Sequence, residues 1–138
     1  MVIAQAATNT TLAAALTSSK LRVHFGHVEA GLRSYDRGMP EEIYKIVVDH
    51  MSSPLFAQKW RSALNLCPKG ISKHRISVIG NTVVDTWLRF SQVAARKWQI
   101  LKWLGLEESQ NLVLVTDHRP ANVESKEDLH GIVTCTAS

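Results

Sequence analysis

The sequence has 138 residues, a length typical of one domain or of the adjoining parts of two, and too short for a complete two-domain enzyme. Its 45% apolar and 20% charged residues exclude a mostly disordered chain and a collagen-like or coiled-coil fibre. Sixteen Lys and Arg against twelve Asp and Glu give a formal net charge of +4, which alone does not predict a nucleic-acid partner.

The two cysteines, Cys67 and Cys135, lie far apart and lack the paired spacing of a zinc or redox motif. We therefore expect reduced thiols and no metal site. The longest apolar stretch near the N-terminus, residues 12–16, is shorter than a signal peptide requires, and no stretch approaches a membrane span. These features predict a cytoplasmic protein without a membrane partner.

Strand patterns and helix patterns alternate along the chain. Short apolar or β-branched runs predict strands, and apolar residues at helical spacing predict helices. The predicted strands are residues 2–4, 22–25, 53–57, 75–79 and 112–116. The predicted helices are residues 8–18, a helix opening at Pro40, residues 58–66, a long helix from Val83 towards Leu101 with a break near Trp98, and a helix starting at Ser125.

The clearest helix start is at Pro40, because proline in the first turn lacks only an N–H that has no helical partner there. The helical spacing that follows predicts that Ile43, Ile46, Val47 and His50 lie on one face of this helix.

The alternation predicts an α/β fold with a parallel sheet covered by helices on both faces. The strand of residues 2–4 is short, so we expect the chain to begin inside a fold unit. Ligands of such sheets bind at the carboxyl ends of the strands. The loops at those ends are residues 5–10, 26–37, 80–82 and 117–122.

The second of these loops carries a set of side chains suited to chemistry. His27, Glu29, Gly31 and Arg33 combine an imidazole, a carboxylate, a flexible glycine and a guanidinium that can hold a phosphate. The same residues also fit a polar loop with a buried ion pair, and the pattern leaves both interpretations open.

The other loops are equally ambiguous when taken singly. Glu41 and Glu42 are favoured by the positive end of a helix dipole without any further role. The Gly80-Asn81-Thr82 segment suits a turn and a helix cap. His118 and Arg119 offer donors to an anion but also fit an ordinary polar turn.

A basic stretch between residues 58 and 75 contains five Lys and Arg and no acidic residue. Trp60 is its only aromatic residue, and no nucleic-acid motif accompanies it. A solvated helix face explains the stretch better than a nucleic-acid-binding module, which remains the least favoured alternative.

Four segments together resemble the non-hydrolysing UDP-N-acetylglucosamine 2-epimerases. They are HVEAGLRS at residues 27–34, DRGMPEEI at 36–43, GNTVVD at 80–85 and VTDHR at 115–119. The resemblance runs from about residue 8 to residue 123.

The resemblance implies a fold of two Rossmann-like domains facing a cleft. Residues 1–80 are then the C-terminal part of the first domain, 81–105 a helical connection, and 106–138 the start of the second domain. The implied reaction converts UDP-GlcNAc to UDP-ManNAc reversibly by elimination and re-addition of UDP, without a cofactor, in polysaccharide biosynthesis.

Carried over residue by residue, the resemblance assigns two groups of site residues. The catalytic residues are Glu29, Glu41 and His118. The substrate-binding residues are His27, Arg33, Asn81 and Arg119. The implied ligands are UDP-GlcNAc and UDP, and no nucleic acid is expected.

Several positions depart from the family pattern. The family's G-D-T stands here as Ala6-Ala7-Thr8, so one expected carboxylate is missing, and its P-T-E stands as Gln58-Lys59-Trp60. Segments that bind substrate and nucleotide in the family are also absent. We therefore expect a weakly active or inactive fragment, and the alternative is a non-catalytic UDP-sugar-binding remnant. Unpaired strand edges also predict self-association into a homo-oligomer, and a complementing chain would supply the missing parts.

Overall fold

The computed structural model describes residues 1–97, 99–106, 114–116 and 124–137. The chain divides into two compact units, residues 1–96 and 97–138. The strands are β1 (Val2–Gln5), β2 (Phe25–Val28), β3 (Leu55–Ala57) and β4 (Ile76–Val78). The helices are α1 (Asn9–Lys20), α2 (Pro40–Met51), α3 (Trp60–Leu66), α4 (Thr82–Lys97), α5 (Ile100–Trp103) and α6 (Lys126–Ala137).

The four strands form one parallel sheet in the order β1-β2-β3-β4. The alternation of strand and helix follows the sequence prediction, and the α/β class with a parallel sheet is confirmed. The register sets Ala4 beside His27 and His27 beside Leu55, so these three residues share one face.

Helices α1, α2 and α3 pack on that shared face. Ala15 of α1 and Val48 of α2 are buried with Phe25, and Leu66 of α3 is buried with Leu55. The sequence predicts helices on both faces, whereas these three lie on the same one. The reason is the strand order, because right-handed crossovers between strands added in one direction place every connecting helix on the same side.

The opposite face of the sheet is less covered. It carries Ile3, Gly26, Val28 and Phe56 by the alternation of the strands. Ile3 remains 54% exposed, and Val28 and Phe56 are only half-buried. An apolar sheet face therefore has partial protection from water within the described part of the chain.

Side-chain caps define the helix starts. Thr8 Oγ1 accepts a hydrogen bond from Thr11 N at 3.2 Å at the start of α1. Asn81 Oδ1 accepts from Val83 N at 3.0 Å at the start of α4, which confirms the predicted cap. Pro40 occupies the first turn of α2, as predicted.

The buried residues of α2 are not those on the predicted face. The buried residues are Glu42, Val48 and Asp49, whereas Val47 is 37% exposed and His50 is exposed. Polar contacts from the preceding loop turn the helix, so two carboxylates lie inward. On the predicted face, Ile43 and Ile46 are half-buried, whereas Val47 and His50 are exposed.

Two other predictions meet different outcomes. Strand β2 spans Phe25–Val28 rather than residues 22–25, so His27 lies inside the strand instead of in the loop after it. Of the predicted strand at 112–116, residues 114–116 form no strand, and the others lie outside the described residues. Within the described ranges, no helix has the length and apolar character needed to cross a membrane.

Candidate functional site

The carboxyl ends of the strands meet at one edge of the sheet, where Gln5, Glu29 and Thr82 come together. Gln5 Nε2 donates to Glu29 Oε1 at 2.9 Å and lies 3.4 Å from Thr82 Oγ1. Gln5 ends β1, Glu29 follows β2 and Thr82 opens the helix after β4. Residues far apart in the sequence are therefore neighbours because the strands are parallel.

A second amide contact extends this edge. Gln58, which follows β3, donates from Nε2 to Asn81 Oδ1 at 3.4 Å. The strand-end cluster thus comprises Gln5, Glu29, Gln58, Asn81 and Thr82. It offers one carboxylate that can move a proton, surrounded by amide and hydroxyl groups that can donate to or accept from a ligand.

Two backbone positions at this edge take the left-handed conformation. Ala6 has φ +68° and Glu29 has φ +72°, a region that costs a non-glycine residue about 1–2 kcal/mol. The next residue, Ala30, donates its N–H to Phe56 O at 3.1 Å, which holds the chain after Glu29 against β3. The direction of the Glu29 side chain is therefore set by a constrained backbone, as is common at functional sites.

A buried carboxylate holds the loop behind Glu29. Asp49 is fully buried and accepts hydrogen bonds from His27 Nδ1 at 2.7 Å, Arg33 Nη2 at 2.6 Å and Gly31 N at 3.2 Å. His27 Nε2 in turn lies 3.3 Å from the carbonyl oxygen of Ala6. One aspartate thus ties α2 to β2, to the loop after it and, through His27, to the loop after β1.

Glu42 holds the next part of the same loop. Its Oε2 accepts from Ser34 N and Ser34 Oγ, both at 2.9 Å, and its Oε1 lies 4.0 Å from Arg33 Nε. Burial raises the pKa of the Glu42 carboxyl, but the Ser34 hydrogen bonds and the charges of Arg33 and Lys45 outweigh it and lower the pKa below its ordinary value.

The structure places the predicted site residues in three different settings. Glu29 and Asn81 lie in the strand-end cluster. His27 and Arg33 have side chains only 1% and 2% exposed, and their polar atoms bind Asp49. The buried ion pair that the sequence left open exists, but its carboxylates are Asp49 and Glu42 rather than Glu29.

Glu41 is exposed in the first turn of α2, and no hydrogen bond joins it to Glu29 in the described part of the chain. His118 and Arg119 lie outside the described residues. No cluster of three or more His, Cys, Asp or Glu side chains suited to a metal ion occurs among the residues that the structure describes.

Sequence reasoning missed Asp49 and Gln5. Asp49 follows Glu42 by seven residues, so the two carboxylates share one side of α2, and that spacing opposite Arg33 is the signal that could have found it. Gln5 had no comparable signal, because its contact depends on the register that pairs it with Val28.

The position where the epimerase pattern has an aspartate is occupied by Ala7. It is half-buried and lies between the left-handed Ala6 and Thr8, the cap of α1. The turn and the cap are therefore present, while the side chain at this position cannot accept a proton.

Comparison with known proteins decides the family. The family profile described as UDP-N-acetylglucosamine 2-epimerase matches residues 1–138. The chain belongs to this family. It is 43% identical over 134 residues to the UDP-N-acetylglucosamine 2-epimerase of Methanocaldococcus jannaschii, covering 96% of this chain and 37% of that protein. The chain thus spans little more than a third of the length of this relative.

Other members are also similar. The chain is 37% identical over 128 residues to the UDP-2,3-diacetamido-2,3-dideoxy-D-glucuronate 2-epimerase of Pseudomonas aeruginosa, covering 91% of this chain and 34% of that protein. The crystal structure of the M. jannaschii epimerase in complex with UDP-GlcNAc and UDP superimposes with a TM-score of 0.79 at 43% identity, over 96% of this chain and 36% of that one. The fold and the family are therefore shown together.

Proposed function

We propose that this chain carries part of the active centre of an epimerase acting on C2 of UDP-N-acetylglucosamine. The observation that carries the proposal is the placement of Glu29 in the strand-end cluster, with its carboxylate held by Gln5. Family membership supports the substrate class. The full set that we propose comprises Glu29, Glu41 and His118 as catalytic residues, with His27, Arg33, Asn81 and Arg119 supporting substrate binding.

The chemistry requires a base near the sugar and donors near the diphosphate. A carboxylate removes the proton from C2 while the bond between C1 and the UDP oxygen breaks, giving 2-acetamidoglucal and free UDP. Protonation of C2 on the opposite face and re-addition of UDP at C1 then give UDP-ManNAc. No electrons are exchanged with a cofactor, so the proposal needs none.

The buried contacts of His27 and Arg33 limit how they serve this reaction. His27 Nδ1 and one terminal nitrogen of Arg33 are bound to Asp49, so we propose that these two residues position the loop that bears Glu29. Preorganisation of this kind lowers the barrier by holding the base in place before the substrate arrives. Asn81 is exposed and remains suited to contact the substrate directly.

Ala7 predicts a low rate. A positioned acid or base is worth about 10²–10⁴ in rate, and this position supplies none. We place the activity in the cytoplasm, in the supply of sugar nucleotides for polysaccharide synthesis. The Cys67 thiol, whose Sγ lies 3.5 Å from the Ala63 carbonyl oxygen, fits a reducing compartment.

The test is to incubate the chain with UDP-GlcNAc and to follow UDP-ManNAc, 2-acetamidoglucal and UDP by NMR. We expect slow turnover that disappears in Glu29→Gln and persists in Glu124→Gln, an exposed carboxylate outside the cluster. Ala7→Asp should raise the rate, whereas Ala7→Asn, of similar size but unable to take a proton, should not. Turnover that survives Glu29→Gln would refute the assignment.

A non-catalytic remnant is the second candidate, and it is favoured by the apolar sheet face that is only partly protected from water within the described part of the chain. Apolar strands of parallel sheets are normally buried on both faces, and β1 is an edge strand with Ile3 and Val2 54% and 40% exposed. We propose that this face and edge associate with a second copy or with a complementing chain.

Sedimentation of the purified chain over a range of concentrations tests the association. We expect self-association that Ile3→Lys weakens and that Thr10→Lys, the same charge on an exposed polar site of α1, leaves unchanged. If the chain is a monomer at every concentration, the proposed association is refuted. If that monomer also binds UDP without turnover, the chain is a monomeric UDP-binding remnant. UDP binding is read as a rise in melting temperature at saturating ligand.

A further inference from the structure

A small cavity lies beside α3, and its lining residue Lys59 directly follows Gln58 of the strand-end cluster. Its volume is about 210 Å³, and none of the strand-end residues lines it. Leu32, Arg33 and Tyr35 line it from the loop after β2, and Lys59, Arg61, Ser62 and Asn65 line it from α3 and the residue before that helix. The cavity is smaller than the roughly 300–1,000 Å³ of pockets for drug-sized ligands, so a single compact group fits it better than a whole nucleotide sugar.

The charge that lines this cavity is positive. Arg33 also lines it, but its guanidinium is neutralised by Asp49 at 2.6 Å. Lys59 and Arg61 are exposed, and neither has a carboxylate within 4.0 Å in the described part of the chain. Two uncompensated cations therefore face a space without any acidic lining residue.

Two polar lining residues of the cavity, Tyr35 and Asn65, are held by hydrogen bonds. Asn65 Oδ1 accepts from the Tyr35 hydroxyl at 3.0 Å, and Asn65 Nδ2 donates to Gly31 O at 2.9 Å. Tyr35 itself has φ +61°, a conformation that costs a tyrosine about 1–2 kcal/mol and that the Asn65 contact helps to maintain. Backbone strain at a residue that lines a cavity is a feature that functional sites retain.

One lining position departs from the epimerase pattern. Where that pattern has P-T-E, this chain has Gln58-Lys59-Trp60, and of these three residues only Lys59 lines the cavity. The departure therefore adds a cation to the lining.

We propose that this cavity binds a phosphate or pyrophosphate group through Lys59 and Arg61. The Arg61 guanidinium can offer two parallel N–H groups to phosphate oxygens, and the Lys59 ammonium supplies a point charge beside it. The second amide hydrogen of Asn65 is one further donor among the lining residues. The cavity and the strand-end cluster share no residue, so the proposal does not depend on the function proposed for Glu29.

Calorimetric titration with inorganic pyrophosphate and with inorganic phosphate, at low ionic strength, tests the proposal. We expect saturable binding of pyrophosphate that becomes at least about tenfold weaker in the Lys59→Gln, Arg61→Gln double variant. The matched control is Lys69→Gln, Lys73→Gln, which removes the same charge from exposed positions outside the cavity. It should retain affinity within about twofold.

Three outcomes would overturn the proposal. The first is no saturable binding of either anion by the unaltered chain. The second is an equal loss of affinity in the two double variants, which indicates attraction to net charge alone. The third is loss of pyrophosphate binding in Glu29→Gln with no loss in Lys59→Gln, Arg61→Gln, which places the anion at the strand-end cluster.

Discussion

Substitution of Gly31 by alanine should destabilise the chain far more than the same substitution at Gly70. Both glycines are left-handed, with φ +75° and +76°. A Cβ on Gly31 would lie 2.1 Å from Ser62 O and 2.8 Å from Ser62 C, whereas a Cβ on Gly70 meets nothing within 4 Å. The blocked atoms at Gly31 are helix backbone, so a side-chain rotation cannot relieve the overlap.

The magnitudes follow from these two settings. Gly70→Ala should lower the free energy of unfolding by about 1–2 kcal/mol, because only the left-handed conformation of the new alanine is unfavourable. Gly31→Ala adds overpacking of about 1–3 kcal/mol and weakens the bonds of Gly31 with Asp49 and Asn65, so we expect about 3–5 kcal/mol in total. That is a large share of the roughly 5–15 kcal/mol that stabilises a domain.

Urea unfolding followed by far-ultraviolet circular dichroism measures the difference. At an m value of about 1–3 kcal/mol per molar, the two midpoints should differ by on the order of 1 M. Equal midpoints for Gly31→Ala and Gly70→Ala would refute the close packing of the loop on α3, and with it the rigid support that the loop gives to Glu29.

Three further substitutions test other parts of the fold. Ala6→Gly should raise the free energy of unfolding in urea by about 0.5–1 kcal/mol, because φ +68° suits glycine. Ala13→Gly, at an exposed position within α1, should lower it by about 1 kcal/mol. A loss of stability in both variants would contradict the left-handed turn at Ala6. Asp49→Asn should cost about 3–5 kcal/mol by leaving Arg33 buried without its partner, and a loss below about 1 kcal/mol would contradict that pairing. Because the pKa of Glu42 is lowered in the folded chain, its ionised form stabilises the fold above the ordinary value of 4.5 and that contribution disappears as the pH falls through the lowered pKa. The stability difference between the wild type and Glu42→Gln should therefore shrink on acidification below about pH 4.5, and a difference independent of pH would contradict it.

Short-range sequence signals were sufficient to predict most of the helices and strands. The Pro40 start and the Asn81 cap depend on residues within a few positions of each helix end, and both occur in the structure. Parallel pairing was predictable because each strand is followed by a helix long enough to cross over. The fold class therefore needed only short-range information.

The orientation of α2 was not accessible in the same way. Its apolar spacing indicated a face with Ile43 and Ile46, which are half-buried, but gave no sign that Glu42 and Asp49 are buried. These carboxylates are buried because Ser34 and Arg33 reach them from a loop that the helix pattern does not describe. A buried ion pair is a tertiary property, since neither partner alone indicates that the other will be present.

The candidate site was predictable only in part. Glu29 and Asn81 follow strands, and the rule for the carboxyl ends of parallel strands brought them to one edge of the sheet. The hydrogen bond from Gln5 to Glu29 depends instead on strand register, which is fixed by packing across the sheet rather than by the residues of either loop.

The contacts that hold the loop of Glu29 in place do not involve the side chain at residue 7, where the carboxylate is missing. Asp49 holds the loop through side-chain and backbone donors of β2 and the residues after it, and the contact of His27 with the first loop is to the carbonyl oxygen of Ala6. None of these bonds uses the side chain at position 7. An aspartate placed at Ala7 therefore meets a loop whose geometry is already set, so that a gain in rate from Ala7→Asp reports proton transfer rather than refolding of the site.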